Sequence, residues 1–123
     1  VDALVIDDSR AMRKILARIL QQIGFEVSEA ANGSEGLEQL EAGFAPCVAL
    51  VDWNMPVMSG FEFIKAVRAR EKYRNIRLMM VTTETGEREI SKALDVGADE
   101  YVMKPFTKDV IVDKLRLLGV SGI

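Results

Sequence analysis

No histidine occurs anywhere in the 123 residues of this chain. That removes Ser-His-Asp and Cys-His nucleophilic catalysis, histidine-ligated metal centres, and any phosphohistidine formed on the chain itself. The single cysteine, Cys47, excludes an internal disulfide framework and a cysteine-rich zinc site. It opens an apolar run with no basic neighbour, so it reads as core and not as a reactive thiol. Three prolines and nine glycines leave no low-complexity segment and no linker. Positive charge is not in excess either. A formal net charge of −3 and a pI near 5.0 argue against nucleic-acid binding by the domain as a whole. The longest apolar runs fall far short of the roughly 20 residues of a membrane span, and no signal peptide opens the chain, so no membrane association and a cytoplasmic location are expected. Val1 stands where an initiator methionine would, so a few preceding residues are expected.

What is present is 49% hydrophobic residues in a chain of one-domain length. Surface scaling predicts burial of roughly two thirds of the unfolded chain's surface, enough for a core without staples. The hydrophobic period alternates along the chain. Ala3–Ile6 is a short apolar run, and Met12, Ile15, Leu16, Ile19, Leu20 and Ile23 then form one helical stripe, closed by Gly24. Phe25–Ser28 reads as a strand. Asn32 with Glu35 starts a helix bearing Leu37 and Leu40, which Gly43 ends. Cys47–Val51 is a continuous apolar strand of the kind buried on both faces. Ser59 and Glu62 form a capping box for a helix presenting Phe63, Ile64 and Val67. Ile76–Val81 is the next buried strand, in which Met79 and Met80 read as core. A helix from about Glu87 carries Ile90, Ala93 and Leu94 to Gly97, and Tyr101–Met103 is the last strand. Thr107 caps a final helix with Val110, Ile111, Leu115 and Leu118.

Five strand–helix units in strict alternation predict one α/β domain over 1–123: a doubly wound, five-stranded parallel sheet of the flavodoxin-like (βα)5 type, strand order 2-1-3-4-5. Ligands of such sheets sit beyond the carboxyl ends of the strands, at the switch point between strands 1 and 3. The residues there are Asp7-Asp8 after strand 1, Asp52 after strand 3, Thr82-Thr83 after strand 4 and Lys104-Pro105 after strand 5. Each alone admits an ordinary structural reading, as an N-cap, a turn residue or a solvated charge. Together they put three carboxylates on one rim, where their repulsion serves no structural purpose unless a dication relieves it. An all-oxygen donor set favours Mg²⁺. With one of these aspartates as nucleophile, and Lys104, Thr82 and Mg²⁺ facing the transferred group, the constellation is a phosphoryl-acceptor site.

Ile6-Asp-Asp-Ser9, Asp52-Trp-Asn-Met-Pro56 with Ser59-Gly60, Thr82-Thr-Glu84 and Lys104-Pro-Phe106 resemble the receiver domain of bacterial two-component response regulators, above all its single-domain chemotaxis branch. The resemblance runs from about Ala3 to Leu118. It implies Asp52 as phosphoacceptor. Asp8 and Asp52 would ligate Mg²⁺ directly, Asp7 through water and Asn54 by its backbone carbonyl. It further implies Lys104 as the phosphoryl contact, a cis Lys104–Pro105 bond, Thr82 and Tyr101 as a switch pair, and Asn54 and Glu84 as positions tuning phosphoryl lifetime. The protein would be a phosphoprotein that catalyses only its own phosphorylation and dephosphorylation, not a turnover enzyme. Phosphorylation would reshape the face made by the fourth helix, fifth strand and fifth helix, with Lys92, Tyr101 and Lys108 upon it. The implied partners are a CheA-like histidine kinase, a flagellar motor switch protein and a phosphatase, with the chain a monomer. Alternatives of the same chemistry are a receiver cut from a larger DNA-binding regulator and a single-domain phosphorelay intermediate.

Arg10, Arg13, Lys14 and Arg18 read as a solvated face of the first helix, which lies beside the site and could also help dock the kinase. Arg68, Arg70, Lys72, Arg74 and Arg77 read as solvated surface at the far end of the sheet. A flavin carrier would need a hydroxyl- and glycine-rich phosphate loop where Asp7-Asp8 stands. A haloacid-dehalogenase-type phosphatase would carry its nucleophile after strand 1 as Asp-x-Asp.

Overall fold

The computed structural model describes residues 2–83 and 87–120. Among them, strands β1 (Asp2–Ile6), β2 (Glu26–Ala30), β3 (Val48–Val51), β4 (Arg77–Thr82) and β5 (Glu100–Met103) alternate with five helices. These are α1 (Arg10–Gln22), α2 (Gly33–Glu41), α3 (Gly60–Arg68), α4 (Glu87–Val96) and α5 (Lys108–Leu117), and a short 3₁₀ turn at Glu71–Tyr73 precedes β4. All strand pairs are parallel, in the order β2-β1-β3-β4-β5, as the alternation predicts.

The period of two along each strand divides the core into two layers. Leu4, Ile6, Ala49, Val51, Leu78 and Met80 pack under α2, α3 and α4, whereas Ala3, Val5, Val48, Leu50, Met79 and Val81 pack under α1 and α5. All twelve are essentially inaccessible to solvent, which is why the three central strands read as unbroken apolar runs. The helix starts follow the side-chain chemistry. Ser9, Asn32 and Thr107 each accept from the backbone N–H three residues on, and Ser59 with Glu62 completes the reciprocal capping box.

Four local expectations are corrected. β2 begins at Glu26 and runs to Ala30 because Phe25 is spent closing α1: beyond Gly24 (φ +105°), its N–H donates to the Leu20 carbonyl and its ring is buried. Cys47 lies just before β3 and is half-buried, though its N–H and carbonyl continue the ladder to Asp2 and Arg77. Burial pushes its thiol pKa up. Leu94 and Val110 face solvent, since α4 buries only Ala93 fully and α5 only Ile111 and Leu115. Lastly, Arg68 is no solvated charge. Its guanidinium donates to the carbonyls of Gly97 (2.9 Å), Tyr73 (3.2 Å) and Ile76 (2.7 Å) and pairs with Asp99 (2.8 Å). Asp99 in turn accepts from Leu78 N–H. One side chain thus ties the ends of α3 and α4 to the starts of β4 and β5.

Candidate functional site

Asp7, Asp52 and Lys104 each stand one position beyond their strands, held there by one more ladder-like bond, whereas Thr82, expected after strand 4, is the last residue of β4 itself. Asp7 N–H donates to the Ala30 carbonyl (3.1 Å), Asp52 N–H to Ile6 (2.9 Å) and Lys104 N–H to Thr82 (2.9 Å). Three buried polar or charged residues occur among the described residues, Asp7, Asp52 and Thr82, and all three lie here. Burying polar groups is costly, so their concentration on one rim marks it apart from the rest of the molecule.

Oxygens of Asp7, Asp8 and Asp52 converge within 4.8 Å of one another. The Lys104 ammonium enters from β5, 2.9 Å from Asp7 Oδ2 and 3.7 Å from Asp52 Oδ1. Asp7 Oδ1 accepts from Ser9 N–H at 2.8 Å, so both its oxygens are engaged. Asp8 is exposed and makes no hydrogen bond or ion pair among the described residues. Burial raises the Asp52 pKa above the ordinary carboxylate value; Lys104 opposes the rise, the charges of Asp7 and Asp8 add to it, and a backbone hydrogen bond from Trp53 opposes it. The donor set suits a small, hard dication: oxygen ligands only, excess negative charge, and one carboxylate left open to solvent.

The loop after Asp52 is shaped by close packing. Gly60 opens α3 directly against the Asp52 carbonyl, where a Cβ would collide with that oxygen, and its N–H donates to Trp53 (2.9 Å). Val57, 81% exposed at the loop's tip, adopts φ +68°, a left-handed conformation rare for a β-branched residue. Trp53 is buried and meets Phe61 edge-to-face (centroids 5.6 Å apart), and the Lys92 ammonium of α4 lies 5.6 Å from the Phe61 ring centre.

The sequence-derived residues divide accordingly. Asp7, Asp8, Asp52 and Lys104 come together, and Thr82 is buried on the neighbouring strand end. Asn54 is exposed two residues beyond Asp52. Tyr101 lies in register with Met80, two residues short of Thr82, half-buried with the Lys114 ammonium 5.5 Å from its ring centre. The Lys104–Pro105 peptide is cis. Glu84 lies outside the described residues. One contributor was misread in the sequence: Arg13, expected on a solvated face, donates from Nη1 to the Asp7 carbonyl at 2.7 Å, with Nε 3.4 Å from Glu29 Oε1. Its place one turn into a helix that follows an acidic pair was the available signal.

The response regulator receiver domain model matches residues 3–116. Among relatives, the chain is 42% identical over 116 residues to the chemotaxis protein CheY1 of Helicobacter pylori (strain J99), covering 94% of each. It is 43% identical over 121 residues to a chemotaxis protein CheY homolog of Campylobacter jejuni, covering 97% of this chain and 93% of that one. The solved structure of the chemotaxis response regulator CheY4 of Vibrio cholerae superposes with a TM-score of 0.89 at 36% identity, covering 96% of this chain and 98% of the other.

Proposed function

This chain belongs to the response regulator receiver domain family, and we propose that it is a signalling switch set by phosphorylation of Asp52. Membership implies phosphorylation-dependent signalling from a histidine kinase, with the domain as regulatory phosphoacceptor. The observation that carries the assignment to Asp52 is its place in the cluster: a buried carboxylate at the end of a central strand, facing Lys104 at 3.7 Å and converging with Asp7 and Asp8.

In the step itself, an Asp52 carboxylate oxygen attacks the phosphorus of the donor. The new P–O bond replaces the bond to the donor, whose leaving group departs with the electron pair: a histidine nitrogen, or acetate when acetyl phosphate is used. Asp7, Asp8 and Asp52 would hold Mg²⁺, with the Asn54 carbonyl completing the protein's share. Bound there, the ion supplies neutralisation of phosphoryl oxygens. Lys104 contributes a second positive charge and Thr82 a hydroxyl donor to the same group. Phosphorylation replaces one negative charge by about two and adds strong acceptors. Thr82 would then turn toward them and Tyr101 move inward behind it, altering the α4-β5-α5 face that bears Lys92, Tyr101 and Lys108. The chemotaxis relatives support a flagellar motor switch protein as the partner at that face.

The test is intact mass after incubation with acetyl phosphate and Mg²⁺. One added phosphoryl group is expected, absent in Asp52→Asn and in EDTA. No adduct together with no Mg²⁺-induced change in Trp53 fluorescence overturns the reading, whereas a fluorescence change without an adduct points to a working site with rapid loss of the group.

A further inference from the structure

Asp8 is placed by backbone alone. Its carboxylate is exposed and has no side-chain partner among the described residues, yet it converges with Asp7 and Asp52. What fixes it must therefore act on the peptide units to either side. On the C-terminal side, Ser9 N–H is bonded to Asp7 Oδ1 (2.8 Å), and Ser9 Oγ caps α1 by accepting from Met12 N–H (3.2 Å). On the N-terminal side, the Asp7 carbonyl, which belongs to the Asp7–Asp8 peptide plane, accepts from Arg13 Nη1 (2.7 Å). Arg13 is itself held. Its side chain is 16% exposed, and Nε faces Glu29 Oε1 (3.4 Å), whose other oxygen binds Lys14 Nζ at 2.9 Å. The Glu29 backbone is fixed in turn by Gln39 Nε2, which donates to its carbonyl at 2.8 Å.

We propose that Arg13 is a positioning residue for the metal site: its guanidinium, braced on Glu29 of β2, locks the Asp7–Asp8 peptide so that the free Asp8 carboxylate is presented to the cation. The inference rests on the Mg²⁺ reading of the cluster given above. It makes a prediction opposite in sign to simple electrostatics. A guanidinium beside a cation site repels the ion, so a purely electrostatic Arg13 would give tighter Mg²⁺ binding when its charge is removed. A positioning Arg13 gives weaker binding. A lysine keeps the charge but cannot span the Asp7 carbonyl and Glu29 with one planar fork, so the positioning role is lost in Arg13→Lys as well as in Arg13→Gln.

The experiment is a Mg²⁺ titration of the full chain followed by backbone amide NMR, with the metal-free thermal midpoint of each variant in EDTA as the check on folding. Weakening of Mg²⁺ binding by about 3–10-fold in both Arg13→Gln and Arg13→Lys is expected, with amide shifts unchanged outside the β1–α1 turn, α1 and the surroundings of Glu29. Glu29→Gln, which keeps an acceptor for Nε, is expected to lose less than about threefold. Affinity unchanged in Arg13→Lys, or tightened in Arg13→Gln, overturns the positioning role while leaving the metal site standing. Absence of Mg²⁺ binding by the wild-type protein overturns the metal reading itself, and the two failures are therefore distinct.

Discussion

The Lys104 ammonium leans toward Asp7, at 2.9 Å, and stands off from Asp52, at 3.7 Å. The carboxylate proposed to react is thus the one less neutralised in the resting state. Asp7 has both oxygens committed, to Lys104 and to Ser9 N–H, and serves as an anchor for the lysine. Asp52 keeps a nucleophilic oxygen beside a cation that has not been drawn fully onto it.

Removing that cation separates its three effects. Lys104→Met leaves Asp7 and Asp52 buried and repelling each other without a counter-charge, so the metal-free protein is expected to lose about 2–4 kcal/mol at neutral pH. Mg²⁺ then has no ammonium to compete with, and its affinity is expected to rise a few-fold. Phosphorylation by acetyl phosphate falls by about tenfold or more at saturating Mg²⁺, since a charge facing the transferring group is gone. Denaturation in EDTA, Mg²⁺ titration and intact-mass time courses read the three effects, and a parallel fall in Mg²⁺ affinity would contradict the assignment.

Val57 carries strain where solvent leaves it little to contact. At φ +68° its branched Cβ crowds the backbone, and with 81% exposure little packing offsets this. Val57→Gly removes the crowding but gives the unfolded chain more freedom. The net expectation is a stabilisation of about 0.5–1.5 kcal/mol, a rise in Tm of roughly 2–6 °C. A fall in Tm would show that the loop gains more from the valine than the backbone loses.

Much of this molecule was legible in its sequence because most elements carry a complete local signal. The strand ends Asp7, Asp52, Thr82 and Lys104 could be read because a parallel sheet sends all its carboxyl ends to one side. The helix starts at Asn32, Ser59 and Thr107 carry their own caps. What escaped was chemistry that depends on contacts distant in the chain. Arg68 looks like one of five exposed cations until α4 and β5 bring Gly97 and Asp99 to it. Arg13 looks like one of a helical cluster until β2 delivers Glu29. Phe25 reads as the first strand residue because its role, closing α1 over Gly24, uses the same apolar side chain.

Arg68 provides a direct test of that lesson. Its guanidinium satisfies three carbonyls and pairs with Asp99, so Arg68→Ala leaves several partly buried acceptors unpaired. The expected destabilisation is about 3 kcal/mol, measured by urea denaturation, and Arg68→Lys should recover little of it because an ammonium cannot reproduce the fork. A surface arginine would cost less than about 0.5 kcal/mol when truncated. Mg²⁺ binding by Arg68→Lys should be unchanged, because the staple lies at the opposite end of the sheet from Asp52.

Asp52 makes the stability of the metal-free fold depend on pH. Its pKa is raised in the native state, first by burial and then by the charges of Asp7 and Asp8, against the pull of Lys104 and of a backbone hydrogen bond from Trp53. A group with a raised native pKa binds its proton more tightly folded than unfolded, so its favourable contribution is complete below the ordinary carboxylate value. That contribution is lost as pH rises from there through the raised native pKa, where Asp52 becomes a buried anion. At neutral pH, Asp52→Asn removes the anion and keeps the shape. We therefore expect the variant to melt roughly 2–5 °C higher than wild type in EDTA at pH 7. The gap should shrink as pH falls toward 4, because the wild-type carboxyl then becomes neutral as well. Mg²⁺ should reverse the order at pH 7, since the ion stabilises only the protein that retains the full carboxylate set. Thermal melts of both proteins from pH 4 to 8, with and without Mg²⁺, test this. A gap independent of pH would mean that the stabilisation comes from packing of the amide and not from the discharge of Asp52.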